Sequence, residues 1–332
     1  MKKTIRIFVS LFIFILLAGV VFAALLFTPK TLPYNYKAVI KKGQGWQSVA
    51  NNLKQDNAIY SALVLRATLL FVDNKPLKHG AYTLKSPIST WQLINDLPNA
   101  QPNVITLRIA EGATFNDIKK QINSSGNIKH TVNSLSEKEL LQKIDPNSEA
   151  INLEGLLFPD TYVILDEETD IEIYRTAYKN MQKKLQTVWE ERNKDLPYKN
   201  PYELLIMASI IERETSSEKD RGKISAVFVN RLNLGMRLQT DPTVIYGMGS
   251  LYKGKIRKED LQTDTPYNTY TRNGLPPTPI SFPSLAALKA AANPDDVPYL
   301  YFVSKMDNTG ESQFSITLDE HNAAVRKYIL KQ

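Results

Sequence analysis

Ala208-Ser209-Ile210-Ile211-Glu212-Arg213-Glu214-Thr215 is the stretch from which the rest of the chain can be read. It closes an apolar run that begins near Pro201, in which Leu204, Met207, Ala208 and Ile211 recur at helical spacing. The run is therefore predicted to be a helix with that stripe against a core. A helix turns about 100° per residue, so carboxylates at i and i+2 point well apart and cannot share a task. Glu214 projects from the edge shared with Met207 and Ile210, while Glu212 projects from the opposite edge, over Leu205. Glu214 also falls in the last turn, where the negative end of the helix dipole and apolar neighbours both disfavour ionisation. A carboxyl kept protonated near neutral pH is what a general acid requires, so Glu214 is the candidate catalytic acid. Glu212 is the secondary carboxylate. Taken alone, an E-x-E at a helix end is also an ordinary solvated terminus.

The chain that follows favours the catalytic reading. Ser217 with Asp220 three residues on has the form of a capping box opening a second helix through Ile224, Val227, Phe228 and Leu232 to Gly235. A tight turn between the two helices leaves Glu214 at a corner, where a cleft can open. Two irregular stretches come next, Arg237 to Gly247 and Pro266 to Ile280, rich in amides, hydroxyls and tyrosines and poor in carboxylates. Such side chains suit sugar rings, with their apolar CH faces and hydroxyl rims. Gln239, Thr240, Asp241, Tyr246, Asn268 and Tyr270 are the candidate substrate contacts, against the plain alternative that they shape turns. Pro283-Ser284 is predicted to cap a short helix to Ala292. Tyr299–Val303 is read as a buried strand, with a hairpin through Asn308-Thr309-Gly310 to a strand around Phe314 and a helix over 321–330.

Towards the N-terminus, Ile171 to Asn193 is predicted to be a long amphipathic helix on Ile173, Ala177, Met181 and Leu185. Before it a pattern recurs. Gly43, Trp46, Val49, Leu53 and Ile59 match Gly112, Phe115, Ile118, Ile122 and Ile128 at identical spacings, each set after an extended stretch (36–40 and 104–109). Each reads as strand, glycine turn and helix, a duplicated β-α module, with a further helix (61–71), strand (80–84) and short helix (from Ser89) between the copies. The form resembles LysM-like modules that bind cell-wall glycan; a structural arm spacing the next domain from a membrane is the other reading. Residues Ile7 to Phe27 are 21 consecutive uncharged positions preceded by Lys2, Lys3 and Arg6. That is long enough to span a bilayer, and the basic residues place the N-terminus in the cytoplasm. Val21-Phe22-Ala23 would tolerate signal cleavage, but the apolar run exceeds the roughly 7–15 residues of a signal-peptide core, which favours an uncleaved anchor.

Composition narrows the classes. The chain has 332 residues, 43% of them hydrophobic, and a net charge of +7, three of which precede the apolar run. The rest is too dilute for nucleic-acid binding, and no RNP, zinc-finger or helix-turn-helix pattern occurs. The absence of cysteine excludes disulfides and thiol nucleophiles. His79, His130 and His321 are scattered without metal-ligand spacing, and neither a serine elbow nor a P-loop is present, so no metal and no cofactor are expected.

ASIIERET (208–215), RLQTDPTVIYGMG (237–249), PYNTYTRNGLPPTPI (266–280), FPDTY (158–162) and the His321-Asn322 pair together resemble the endolytic murein transglycosylases of the YceG/MltG-like family, over nearly the whole chain. The resemblance implies cleavage of the β-1,4 bond between N-acetylmuramic acid and N-acetylglucosamine inside peptidoglycan strands, leaving 1,6-anhydro ends, with the second glutamate of the E-x-E pair, Glu214, as catalyst. A glycosidase normally needs two carboxylates, whereas intramolecular attack by the C6 hydroxyl needs one. Asp241 is then a positioning residue, or the base of a hydrolytic muramidase; a non-catalytic glycan-binding scaffold of wall synthesis is the remaining alternative. The expected fold is α+β: a tail and transmembrane anchor (1–30), a LysM-like duplicated β-α arm (33–165) and a mixed α+β catalytic domain (166–332). The expected location is the inner membrane, single-pass, with the bulk of the chain outside the cytoplasm. Expected partners are peptidoglycan strands, with peptidoglycan synthases as candidates.

Overall fold

The computed structural model describes residues 2–73, 75–307 and 309–332. The chain is mixed α and β, and it divides into two compact units. The first comprises the chain up to Thr106 with Asn127–Lys129 and Val163–Glu168; the second comprises Leu107–Gly126, His130–Tyr162 and Thr169–Gln332.

The first unit opens with α1 (Lys2–Phe27), whose 26 residues span about 39 Å at helical rise, longer than a hydrocarbon core of about 30 Å. It is long and apolar enough to cross a membrane. Its last turns do not stand free. Leu26 is buried, and Phe22 and Leu25 pack against the core formed by Ile40, Val49, Leu53, Ile59, Leu65, Leu93 and their neighbours. That core lies between β1 (Lys37–Ile40), α2 (Trp46–Gln55), α3 (Ala62–Thr68), β2 (Gly80–Thr83) and α4 (Thr90–Asp96). β1 and β2 pair antiparallel, with Val39 opposite Ala81. Gly43 turns the chain from β1 into α2 at φ +82°, a conformation that costs a side chain dear. α4 carries a full capping box on Ser89 and Gln92.

β3 (Val104–Arg108) leads into the second copy of the pattern, in which Gly112 turns at φ +71° into α5 (Phe115–Asn123). Phe115, Ile118 and Ile122 are buried there as Val49 and Leu53 are in the first copy. The copies nevertheless have different surroundings. Gly112 donates its N–H to the Phe282 carbonyl, and Phe282 returns one to Ala113, which ties the second glycine turn to the loop beyond the long helices. The compact division runs near Thr106, with Asn127–Lys129 and Val163–Glu168 returning to the first unit.

The remaining elements are α6 (Glu137–Ile144), β4 (Thr161–Leu165, paired with β3), α7 (Asp170–Glu190), α8 (Pro201–Glu214), α9 (Glu218–Asn233), α10 (Asp241–Met248), α11 (Lys258–Gln262), α12 (Leu285–Ala292), β5 (Tyr301–Ser304), β6 (Ser312–Ser315) and α13 (Leu318–Val325), which continues as a π-helical turn to Leu330. α8 is the axis of the second unit. Every residue from Leu204 to Ile211 is buried, a wider apolar surface than the single stripe expected, because α7, α9, α10 and α12 all pack against it. Asn200 caps its start, accepting from the Glu203 N–H at 3.0 Å, with Pro201 in the first turn.

Two sequence expectations need correction. Ser217 does not cap α9: the Asp220 carboxylate accepts the Ser312 N–H at 2.6 Å, at the start of β6, and no box forms. The segment read as a buried strand is half-buried in β5, because its two-stranded sheet with β6 leaves one face open. In the expected hairpin, Asn308 lies outside the described residues.

Candidate active site

α8 ends at Glu214, and Thr215 leaves the helix in extended conformation. Across a cavity of about 480 Å³ the site is completed by Arg231 from α9, Gln239, Thr240 and Asp241 at the start of α10, Tyr270, the β5 residues Tyr301 to Ser304, Ser312, and Leu318 and His321 from α13. Of the residues singled out in the sequence, Glu214, Gln239, Thr240, Asp241 and Tyr270 line this one cavity.

The loop geometry shows how. Thr240 occupies the N-cap position of α10, yet its hydroxyl does not cap the helix; it donates to Oε1 of Glu214. Its backbone N–H is held by the Thr269 hydroxyl at 3.1 Å, and the Thr243 hydroxyl donates to the Thr240 carbonyl at 2.8 Å. Gln239 precedes it at φ +49°, a left-handed conformation that a side chain adopts only when its surroundings enforce it. Here the enforcement is a backbone hydrogen bond from Gln239 to the Thr269 carbonyl at 3.1 Å. The Tyr270 hydroxyl donates to the Asp241 carboxylate at 2.6 Å. Ser209, buried in α8, accepts the Ile280 N–H at 3.0 Å and gives its own carbonyl to the Ser281 hydroxyl. The helix bearing the acid is therefore keyed to the end of the 266–280 loop.

Electrostatics single out Glu214. Burial pushes its carboxyl up to about 7; the Thr240 hydroxyl pulls the other way, the charge on Asp241 adds to the rise, and Arg231 opposes it. The Arg231 guanidinium is buried against two carbonyls, Leu300 and Leu238, each at 2.7 Å, and lies 5.2 Å from the Tyr301 ring. It is a fixed cation beside the acid. The His321 ring stacks on Tyr301 at 5.2 Å with 24° between planes. Burial, then the Arg231 charge, lowers the His321 pKa, which favours the neutral ring. Its buried Nδ1 has no hydrogen-bond partner.

Three predicted residues have other partners. Glu212 accepts from the Ser284 N–H at 2.9 Å and from its hydroxyl at 2.5 Å, securing the cap of α12. Asn268 is fully buried, and its amide donates to the carbonyls of Asp260, Leu261 and Thr263. Tyr246 points to Glu154, donating to its carboxylate at 3.1 Å. Sequence reasoning missed Arg231, Tyr301 and Glu154 as site neighbours. Glu154 is 3% exposed and accepts the first N–H of α5, that of Phe115, at 3.0 Å; burial lifts its pKa to about 8 against the pull of that amide. Its position between Leu153 and the Leu156-Leu157 pair was the available signal for a buried acid.

Among the described residues no group of His, Cys, Asp and Glu could hold a metal ion. The chemistry available is that of a half-buried acid, a neighbouring carboxylate oriented by a tyrosine, a fixed cation and two aromatic walls.

Comparisons with known proteins converge on one family. The model of the YceG-like family matches residues 38–327. The chain is 34% identical over 307 residues to a protein of Bacillus subtilis (strain 168) named endolytic murein transglycosylase, covering 87% of this chain and 84% of that one. It is 28% identical over 324 residues to a protein of the same name from Streptococcus pneumoniae serotype 2, covering 87% of this chain and 58% of the longer relative. The crystal structure of a YceG-like protein from Listeria monocytogenes superposes with a TM-score of 0.53 at 29% identity, covering 89% of this chain and 99% of that one.

Proposed function

Because the chain belongs to the YceG-like family, we propose that it is a peptidoglycan lytic transglycosylase that cuts within glycan strands, with Glu214 as its one acid–base catalyst. The observation that carries the reading is the Glu214 carboxyl itself: half-buried in an open cleft, bonded to Thr240 and raised to about 7, it holds a proton where a strand can lie. Protonated Glu214 gives its proton to the glycosidic oxygen as the C1–O bond breaks. Charge develops on the muramic acid ring as the carboxylate forms, and Arg231 stabilises that carboxylate. The same carboxylate then removes the proton of the C6 hydroxyl, whose oxygen closes on C1. The proton returns to Glu214 and no water is consumed, so the new end is a 1,6-anhydro sugar.

Asp241 is tied to Tyr270 and raises Glu214, so its role in this scheme is to keep the acid protonated and the α10 loop in place. Tyr270 and Tyr301 line the same cavity as Glu214, where the exposed parts of their rings supply apolar surface for a sugar. Catalysis belongs to the segment 166–332, buttressed by 107–162, and the β-α elements of 33–106 form a LysM-like arm behind an anchor that puts this domain outside the cytoplasm.

The test is product analysis. Purified glycan strands incubated with the full chain should yield ends lighter by one water than reducing ends, by mass spectrometry. Reducing ends alone would instead identify a hydrolytic muramidase with Asp241 as base. A Glu214→Gln chain that still binds strands but cuts none would reject a scaffold role.

A further inference from the structure

α3 buries Val64, Leu65 and Thr68 and turns a second face outward. Leu63 and Arg66 fall on that face at i and i+3, and Leu70 and Phe71 follow in the turn after the helix. Leu63, Leu70 and Phe71 are 73%, 81% and 86% exposed, far beyond what an isolated surface side chain in a small module requires. An outer face this apolar has lost its solvent-facing design, and the described residues of this chain leave it uncovered.

What covers it follows from the anchor. α1 packs on both α3 and α4, and its last turns enter the core of the same unit, so the module does not swing on a tether; it sits against the end of α1. Phe27, the last residue of α1, pairs with Trp91 of α4 at 5.7 Å, and both rings are open to the outside. Aromatic rings of this kind collect at the headgroup level of a bilayer. The module is therefore held at that level, with α3 packed beside α1.

Charge points the same way. Residues 28–106 carry nine Lys and Arg against three Asp and no Glu, whereas 107–332 carry 29 basic and 31 acidic residues. The excess positive charge of the chain outside its N-terminal tail is confined to the module next to the anchor. Basic residues near an anionic bilayer each add attraction that falls off within a Debye length.

We propose that Leu63, Leu70 and Phe71, flanked by Arg66, insert into the surface of the anionic bilayer that α1 enters, making the first unit a peripheral membrane domain as well as the exit of an anchor. This rests on α1 spanning the membrane. Docking of this kind fixes the module parallel to the lipid plane.

The chain has no cysteine, so a single introduced thiol takes a spin label at one place. Full chain in phosphatidylglycerol-containing vesicles would be labelled at Phe71→Cys, at Leu63→Cys, at the exposed control Lys42→Cys, and at Phe14→Cys within α1. Collision with oxygen reports hydrocarbon, and collision with a polar nickel chelate reports water. Because polar solutes are excluded from an apolar phase, chelate collision at 63 and 71 is expected to be about tenfold below that at 42, with oxygen collision raised. Chelate access at 71 equal to that at 42, with position 14 protected, would overturn the docking while leaving the anchor intact. Spin–spin broadening at 71 would equally overturn it, by identifying a second copy as the cover. A freely accessible position 14 would show that the anchor reading itself had failed.

Discussion

Replacing Glu214 by Gln should make the protein inactive and, above neutral pH, more stable. The folded chain holds the Glu214 proton up to about pH 7, while an unfolded chain releases it near 4.5. Between those values the folded state binds more protons than the unfolded state, so stability falls as pH rises through this window and levels off above it. The gap corresponds to at most about 3 kcal/mol, because the half-buried side chain keeps part of its hydration. Gln preserves the shape and an oxygen for the Thr240 hydroxyl while removing the charge. Urea unfolding of the two full chains in one detergent, from pH 4 to 9, should give curves that coincide below about 4.5 and separate towards 7, with Glu214→Gln the more stable at pH 8.5. Glu154, raised to about 8 by its own burial, adds a falling limb to both chains and cancels in the difference. Parallel curves, or a variant less stable at pH 8.5, would refute the claim that the site keeps its acid protonated by withholding solvent.

Asp241→Asn removes a charge that helps hold the Glu214 proton, so the alkaline limb of the pH–rate profile should move down by roughly half a pH unit while anhydro ends remain the product; an unmoved limb would remove Asp241 from the acid's environment. Glu212→Ala deprives the Ser284 N–H and hydroxyl of a charged acceptor, so thermal unfolding should show a loss of about 2 kcal/mol with cleavage per folded molecule retained. Gly155→Ala sets a Cβ 2.3 Å from that of Pro279 on a backbone at φ +75°, and a loss of about 2–3 kcal/mol or more is expected in the same assay.

The placement of Glu214 at a helix end beside a cleft was legible because its logic is local. A helical period, a chain corner and an apolar neighbourhood all appear in a dozen residues around Glu214, and the Thr240-Asp241 segment that completes the site follows shortly after. Two helix starts with side-chain signals were equally plain, at Ser89 and Ser284. The roles of Glu212, Asn268 and Tyr246 were not, because each is decided by a partner at a distance: Ser284 is 72 residues from Glu212, and Glu154 is 92 from Tyr246. A carboxylate or amide in a polar loop looks the same whether it meets a sugar or a buried N–H. Arg231 was hidden for the opposite reason. In sequence it is a basic residue near a helix end, ordinarily solvated, and only the carbonyls of Leu238 and Leu300 turn it inward.

Those distant partners explain why the site needs so much chain to hold one proton. A carboxyl at a free helix end would ionise in water, and one sealed in a core could not meet a polymer. Glu214 escapes both because the solvent on its open side is replaced by groups that are themselves pinned. Thr240 is held by Thr269, Gln239 is forced into a left-handed turn by the Thr269 carbonyl, and Asp241 is fixed by Tyr270. α10, which begins with these residues, is tethered four residues past Pro242 by Tyr246 to Glu154, which in turn accepts the first N–H of α5. Asn268 and Glu212 act on the site at one remove: one sets the loop that carries Thr269, the other ties the start of α12 to the end of α8. The hydroxyl side chains around Glu214 are thus engaged, in large part, in fixing the carboxyl and the loop beside it, the kind of support that holds a site to fractions of an ångström.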